Sequence, residues 1–180
     1  MARLTRLYTR QGDGGWTRLA DGQRLPKTAL RIQALGDLDE LNAALGLVLA
    51  FAPHHPSGAL LRRIQHRLFD LGAELALPGH HVLGTQQVLD LERAIDELNA
   101  PLPPLEEFLL PGGPPAAAQA QLARAVARRA ERSLWRLAQE EPVEPHALAY
   151  LNRLSDLLFV LARTLARETE PDEPTWSPTP

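Results

Sequence analysis

The sequence predicts an all-α fold, a five-helix up-and-down bundle, and three observations lead there. From about Asp37 onward apolar residues recur at steps of three and four rather than alternating, which is the period of a helix and not of a strand. Five separate segments carry such a stripe. Pro- and Gly-rich breakers divide them, and neither an internal repeat nor substantial β pattern is present.

The elements follow in order. Leu38, Leu41, Leu45, Val48 and Ala52 mark the first helix, which Pro53 and Pro56 end. Leu61, Ile64, Leu68, Leu71 and Leu75 mark the second, stopped by Pro78-Gly79. Val88, Leu91, Ile95 and Leu98 mark a shorter third helix, for which Thr85 is the expected N-cap. After the breakers from Pro101 to Pro115, Val126, Ala130, Leu134 and Leu137 form the buried side of an Ala/Arg-rich fourth helix. Leu151, Leu154, Leu158, Leu161 and Leu165 mark the fifth, with Pro145 in its first turn, where a missing N–H costs nothing. The tail from Pro171, rich in proline and acidic residues, is expected to be extended or disordered. Trp176 within it is either without a role or an anchor that packs on a surface.

A chain of 180 residues suits one domain over 1–180, with an N-terminal loop at 8–31, a helical bundle at about 32–169 and a tail at 170–180. A net charge of −3 argues against a nucleic-acid binder, which would be distinctly basic. The absence of cysteine excludes a disulfide framework and a thiolate metal site, and leans toward a reducing compartment. The first residues, MARLTRLYTR, lack the apolar core of a signal peptide, and no apolar run reaches the roughly 20 residues of a membrane span. A soluble, cytoplasmic protein is expected.

The run TRQGDGGWT, Thr9 to Thr17, followed by Lys27 and Arg31, carries the first chemistry. Gly12, Gly14 and Gly15 free the backbone to expose its amides, while Thr9, Thr17, Arg10 and Lys27 supply hydroxyl and cationic donors suited to a polyphosphate. It is neither a Walker A loop nor a dinucleotide fingerprint, and taken alone a polar N-terminal arm fits it equally well. Lys27 is the only lysine, all other basic side chains being arginine. An ammonium is a compact point charge that a guanidinium does not replace between phosphate oxygens.

On the fourth helix Arg124, Arg128, Arg132 and Arg136 recur every four residues as a basic stripe opposite the apolar face. The plainer reading is a solvated face paired with Glu131 and Glu140. Asp37, Asp39 and Glu40, expected at the start of the first helix, are further acidic partners. On the last helix YLNRLSD places Asn152 and Asp156 one turn apart beside Arg153 and Ser155, a set equally able to bridge helices. Histidine offers little: His66 and Asp70 could ligate a metal only with ligands from elsewhere, and the ExxH repeats of di-metal bundles are absent. No serine lies in GxSxG, so a hydrolase triad has no visible nucleophile.

These motifs coincide with LGDLDELNAALG (Leu35 to Gly46), IQHRLFDLGAELA (Ile64 to Ala76), FLLPGG (Phe108 to Gly113), ARAVARRAER (Ala123 to Arg132) and YLNRLSDLLFVLAR (Tyr150 to Arg163). In this order and spacing the chain resembles the PduO-type ATP:cob(I)alamin adenosyltransferases from Tyr8 to about Arg167. The resemblance implies a ferritin-like five-helix bundle of the cobalamin adenosyltransferase type, assembled as a homotrimer with an active site at each subunit interface. Its substrates would be ATP, carrying Mg²⁺, and cobalamin, with a corrinoid reductase and an adenosylcobalamin-dependent enzyme as candidate partners. No metal ligand in the chain is assigned.

Residue by residue, Thr9, Arg10, Gly12, Asp13, Gly14, Gly15, Thr17, Lys27 and Arg31 resemble the family's nucleotide loop. Arg124, Arg128 and Glu131 resemble its ATP-side residues on the fourth helix, and Asn152 its nucleotide contact on the last. Asp39 resembles the carboxylate that pairs with Arg124 across the interface. Phe108 resembles the aromatic that closes the lower face of the corrin ring. Gln121 is a departure, standing where the family often has a histidine. Two other readings use the same residues: another nucleotide-dependent transferase, and a helical protein that binds and delivers a corrinoid without turnover.

Overall fold

In the computed structural model, which describes residues 8–170 and 172–177, five helices build the molecule: α1 (Leu30–Phe51), α2 (Gly58–Ala76), α3 (Thr85–Asn99), α4 (Pro115–Ala138) and α5 (Pro145–Arg167). A short antiparallel hairpin precedes them. Its strands β1 (Trp16–Arg18) and β2 (Arg24–Pro26) pair with Thr17 opposite Leu25. The sequence pattern carried no sign of this hairpin.

The apolar stripes close on one continuous core. Leu41, Leu45, Ile64, Leu71, Leu134, Leu137, Leu151, Leu154, Leu157, Leu158 and Leu161 are all essentially solvent-free. Truncating one of these leucines to alanine leaves a cavity and costs about 2–5 kcal/mol. α4 lies between α1 and α5 and makes the densest packing with both, while α3 packs on α5 and α2 on α1. α3 runs parallel to α5, with Glu92 meeting Arg153 and Pro103 meeting Arg163, while α1 and α4 run antiparallel. Arg31 at the start of α1 meets Glu141 just past α4, and Arg129 within α4 meets Glu40 further along α1. Gly113, with φ of +86°, turns the chain into α4 against Ala166 of α5.

Two sequence expectations about helix starts need correction. Thr85 is the first residue of α3 and not its cap. Gly84 occupies the cap position and donates its amide to Gln87 Oε1 at 2.8 Å, the reciprocal half of a capping box. Likewise α1 begins at Leu30, so Asp37, Asp39 and Glu40 stand about two turns inside it rather than at its start. Ala34 and Leu38 already belong to its buried face, but an alanine ahead of a glycine is a weak apolar signal.

The tail from 172 to 177 is extended, as expected, and it is docked. Leu109 and Thr175 form an antiparallel bridge, in which Leu110 N–H donates to Pro174 O at 2.8 Å and Trp176 N–H to Phe108 O at 2.7 Å. Disorder therefore does not describe these six residues. Among the described residues no helix is long and apolar enough to cross a membrane.

Candidate active site

Three groups of the predicted residues assemble at three heights of the bundle. The first is the glycine loop. Gly15, at φ +81°, closes a turn by donating its amide to Gly12 O, and Lys27 N–H donates to Gly15 O at 2.8 Å, so the hairpin's far end folds back onto the loop. This brings the Lys27 ammonium beside Gly12: a Cβ built on Gly12 would lie 3.1 Å from Lys27 Nζ. Lys27 is exposed and enters no ion pair among the described residues. Arg10 adopts φ +61°, the one non-glycine residue with positive φ among those described, and places its guanidinium 5.8 Å from the Tyr8 ring centroid. Thr9 Oγ1 accepts a long bond from Gln11 N–H, Thr17 is half-buried on β1, and Asp13 and Gly14 are exposed. The Arg24 guanidinium stacks 4.8 Å over Trp16 and stiffens the hairpin.

Arg31 does not belong to this group. Its guanidinium is buried and committed: Nε donates to Glu141 Oε2 at 2.8 Å, Nη2 bonds the same oxygen, and Nη1 donates to the Leu75 carbonyl at 2.8 Å. It ties the start of α1 to the end of α2 and the segment after α4. A buried arginine held by three such bonds is a structural clamp, its guanidinium turned to Glu141 and Leu75 rather than to the glycine loop.

The second group lies at mid-height. Asn152 Nδ2 donates to Glu131 Oε1 at 3.3 Å, while Arg153 donates to Asn152 Oδ1 at 2.7 Å and to Glu92 Oε1 at 2.8 Å. The chain from α3 through α5 to α4 fixes the amide of Asn152. Arg128 beside it is exposed and without an ion-pair partner among the described residues. Asp39 is also exposed and unpaired among them. Its neighbours Asp37 and Glu40 instead take Arg129, whose guanidinium is held above its usual pKa chiefly by the hydrogen bond with Glu40. Sequence reasoning missed Arg129 because the four-residue arginine stripe drew attention to the neighbouring register.

The third group forms the opposite end. Phe108, 80 % exposed, stands on a cavity of about 480 Å³ that Leu105, Gln121, Arg124 and Phe159 also line. Gln121 Oε1 accepts from Arg124 Nε at 2.9 Å, and the Arg124 guanidinium lies 5.9 Å from the Phe159 centroid. Gln121 thus holds Arg124 through a neutral acceptor, and the two Nη groups have no hydrogen-bond partner among the described residues.

Within one chain the first and third groups do not meet. The loop is pinned at the end where α1 begins and α2 ends, through Ala20 N–H to Ala76 O. That end is level with the close of α4, and Arg124 lies 14 residues before Ala138, about 20 Å back along the helix.

Residues 7–165 match the family model described as cobalamin adenosyltransferase. The chain is 50% identical over 176 residues to the cobalamin adenosyltransferase of Cupriavidus metallidurans, covering 97% of this chain and 95% of that one. It is 48% identical to the corrinoid adenosyltransferase of Mycobacterium tuberculosis H37Rv, over 89% of this chain and 88% of that one. A variant of the PduO-type ATP:corrinoid adenosyltransferase from Lactobacillus reuteri, solved with cobalamin and ATP, superposes with a TM-score of 0.88 at 32% identity, covering 95% of this chain and 99% of that one. The glycine loop, the Arg128 and Asn152 level and the Phe108 cavity therefore sit on a shared fold as well as a shared sequence, and the chain belongs to the cobalamin adenosyltransferase family.

Proposed function

We propose that this protein transfers the 5′-deoxyadenosyl group of ATP to cob(I)alamin, forming adenosylcobalamin and releasing triphosphate. The observation that carries the reading is the exposed Phe108 ring on a cavity shared with the oriented Arg124 guanidinium. An aromatic face there excludes water and other axial ligands from the lower side of a corrin ring, which eases reduction of cobalt to the nucleophilic Co(I) state. Co(I) donates its electron pair to C5′ of ATP, the C5′–O5′ bond breaks, and the pair leaves with the triphosphate oxygen.

Negative charge grows on that leaving group, so Lys27, the loop amides, Arg124 and Arg128 act by stabilising it, and no general base is required. Glu131 and Asn152 would position the nucleoside side. Mg²⁺ arrives on the triphosphate as part of that substrate, and Asp13 and the Thr9 and Thr17 hydroxyls are the oxygen donors the loop offers it.

The separation of the glycine loop from Arg124 in one chain supports a site built from two copies, one supplying the loop and the other α4. The family resemblance supports a homotrimer for that assembly, in which Asp39 of one copy would face Arg124 of the next. A reductase able to reach Co(I) must supply the corrinoid, and an adenosylcobalamin-dependent enzyme consumes the product.

The test is to mix the protein with ATP, Mg²⁺ and chemically reduced cobalamin and to follow the corrinoid absorbance. Conversion to the light-sensitive adenosylcobalamin spectrum is expected. Corrinoid binding without conversion would refute the transferase reading in favour of a carrier.

A further inference from the structure

Phe108 has no core to hold it. Its side chain is 80 % exposed, and residues 101–114 around it contain no helix or strand of their own beyond the single bridge with the tail. What fixes its backbone is that bridge. Trp176 N–H donates to the carbonyl of Phe108 itself, and Leu110 N–H donates to Pro174 O two residues further on.

The tail strand is in turn fixed by one carboxylate. Glu173 forms a two-point pair with Arg163 of α5, Nε to Oε1 at 2.9 Å and Nη2 to Oε2 at 2.8 Å, and Arg167 Nη1 lies 3.5 Å from Oε2. The Arg163 side chain is 3 % exposed and that of Glu173 is 10 % exposed. The same guanidinium donates to Pro103 O at 2.9 Å, at the near end of the segment that carries Phe108. One buried cation therefore fastens both the tail and the start of that segment. A paired, buried guanidinium tolerates loss of its carboxylate poorly, because the charge is then left without compensation.

We infer that Glu173 is a positioning residue for the corrin-side aromatic: through Arg163 it holds the 172–177 strand against 108–110 and so sets where the Phe108 ring stands. This rests on the proposed role of Phe108. It adds a residue outside the cavity and outside the nucleotide loop, in a part of the chain whose composition suggested no function. The consequence is selective. A loosened Phe108 weakens exclusion of the lower axial ligand, which matters when cobalt must still be reduced and matters little once Co(I) is supplied.

The test uses the full chain with Glu173→Gln, and separately Trp176→Pro against Trp176→Ala. The proline removes the N–H that Phe108 O accepts while leaving Arg163 and Glu173 paired, and the alanine keeps that N–H. Amide hydrogen exchange at Leu110, and at residue 176 in the variants that keep its N–H, reads the strap directly. Adenosylation is measured from Co(II) corrinoid with a reductant and from chemically prepared Co(I).

Glu173→Gln is expected to speed exchange at both amides by about tenfold or more, the worth of a charge-assisted bond, with core-helix amides unchanged. Glu173→Gln and Trp176→Pro should lower the Co(II)-start rate by about tenfold, leave the Co(I)-start rate within about threefold, and leave KM for ATP unchanged. If Glu173→Gln fails to fold, the Trp176→Pro and Trp176→Ala pair decides. Unchanged exchange, or equal loss from both starting states, overturns the positioning role while wild-type turnover stands. Absence of wild-type turnover from either start would instead overturn the proposed function, and this role with it.

Discussion

Gly12→Ala isolates the contact between the loop and the single lysine. A Cβ at this position meets Lys27 Nζ at 3.1 Å and Cε at 3.3 Å, with Trp16 O at 3.5 Å. The first two atoms are the far end of a flexible, exposed side chain, so the ammonium recedes by about half an ångström and the backbone stays. Gly12 has an ordinary φ, so alanine adds no strain there, and loss of unfolded-chain entropy stabilises by about 0.4–1 kcal/mol. The protein should therefore melt at the same temperature or slightly higher. Binding of ATP should suffer. With an effective dielectric of about 20, moving a unit charge from about 3 to about 3.6 Å from a phosphate oxygen loses about 1 kcal/mol, or about fivefold in KM for ATP. KM for the corrinoid should not move.

The double mutant makes the reasoning refutable. In a Lys27→Met background the obstruction has no ammonium to displace, so adding Gly12→Ala should raise KM for ATP no further. Steady-state kinetics of the four proteins decides. Additive losses, or no change in KM for ATP with Lys27→Met, would show that the loop does not hold the triphosphate through this ammonium.

Phe108→Ala should cut adenosylation most when the starting corrinoid is Co(II) and less when Co(I) is supplied; equal losses would count against the lower-face role. At ATP far below their raised KM, Lys27→Met and Arg128→Ala should each be nearly inactive, yet co-refolded in equal amounts they should recover about a quarter of wild-type sites, because random mixing restores that share of two-copy interfaces; no recovery would place both groups in one chain's site. Arg31→Ala leaves Glu141 half-exposed and the Leu75 carbonyl buried, so it should cost about 2–3 kcal/mol in urea unfolding without a specific rise in KM for ATP. The Glu173 carboxyl is held below its usual range, first by the hydrogen bond from Arg163, against an opposing effect of burial. Its contribution to stability is thus complete above the unfolded value of about 4.3 and fades as pH falls through the lower folded value, so wild type and Glu173→Gln should differ in unfolding free energy at pH 7 and converge in acid.

The bundle was legible because its information is local. The stripes through Leu38 to Val48, Leu61 to Leu75 and Leu151 to Leu165 state which face each helix buries, and the breakers state where each stops. Gly12, Lys27, Arg124 and Phe108 were legible as residue types in an ordered set of motifs. Contacts between distant parts of the chain were not. Arg31 reads as one more cation near the glycine loop, and only the meeting of α1 with Glu141, 110 positions away, shows where its guanidinium is committed. Arg129 is a similar case, differing from Arg128 by one helical step and by the whole of its environment. Pro- and acid-rich composition suggested an unattached tail because a β bridge of two backbone hydrogen bonds leaves no side-chain pattern to read.

The meeting of Lys27 with Gly12 also makes the protein singular as a reagent. Every Lys/Arg-type cation but this one is a guanidinium, so beyond the chain's own α-amine a reagent selective for primary amines finds one side chain, and it stands beside the glycine loop. Acetylation of a single residue would remove the loop's only ammonium without disturbing any other side chain.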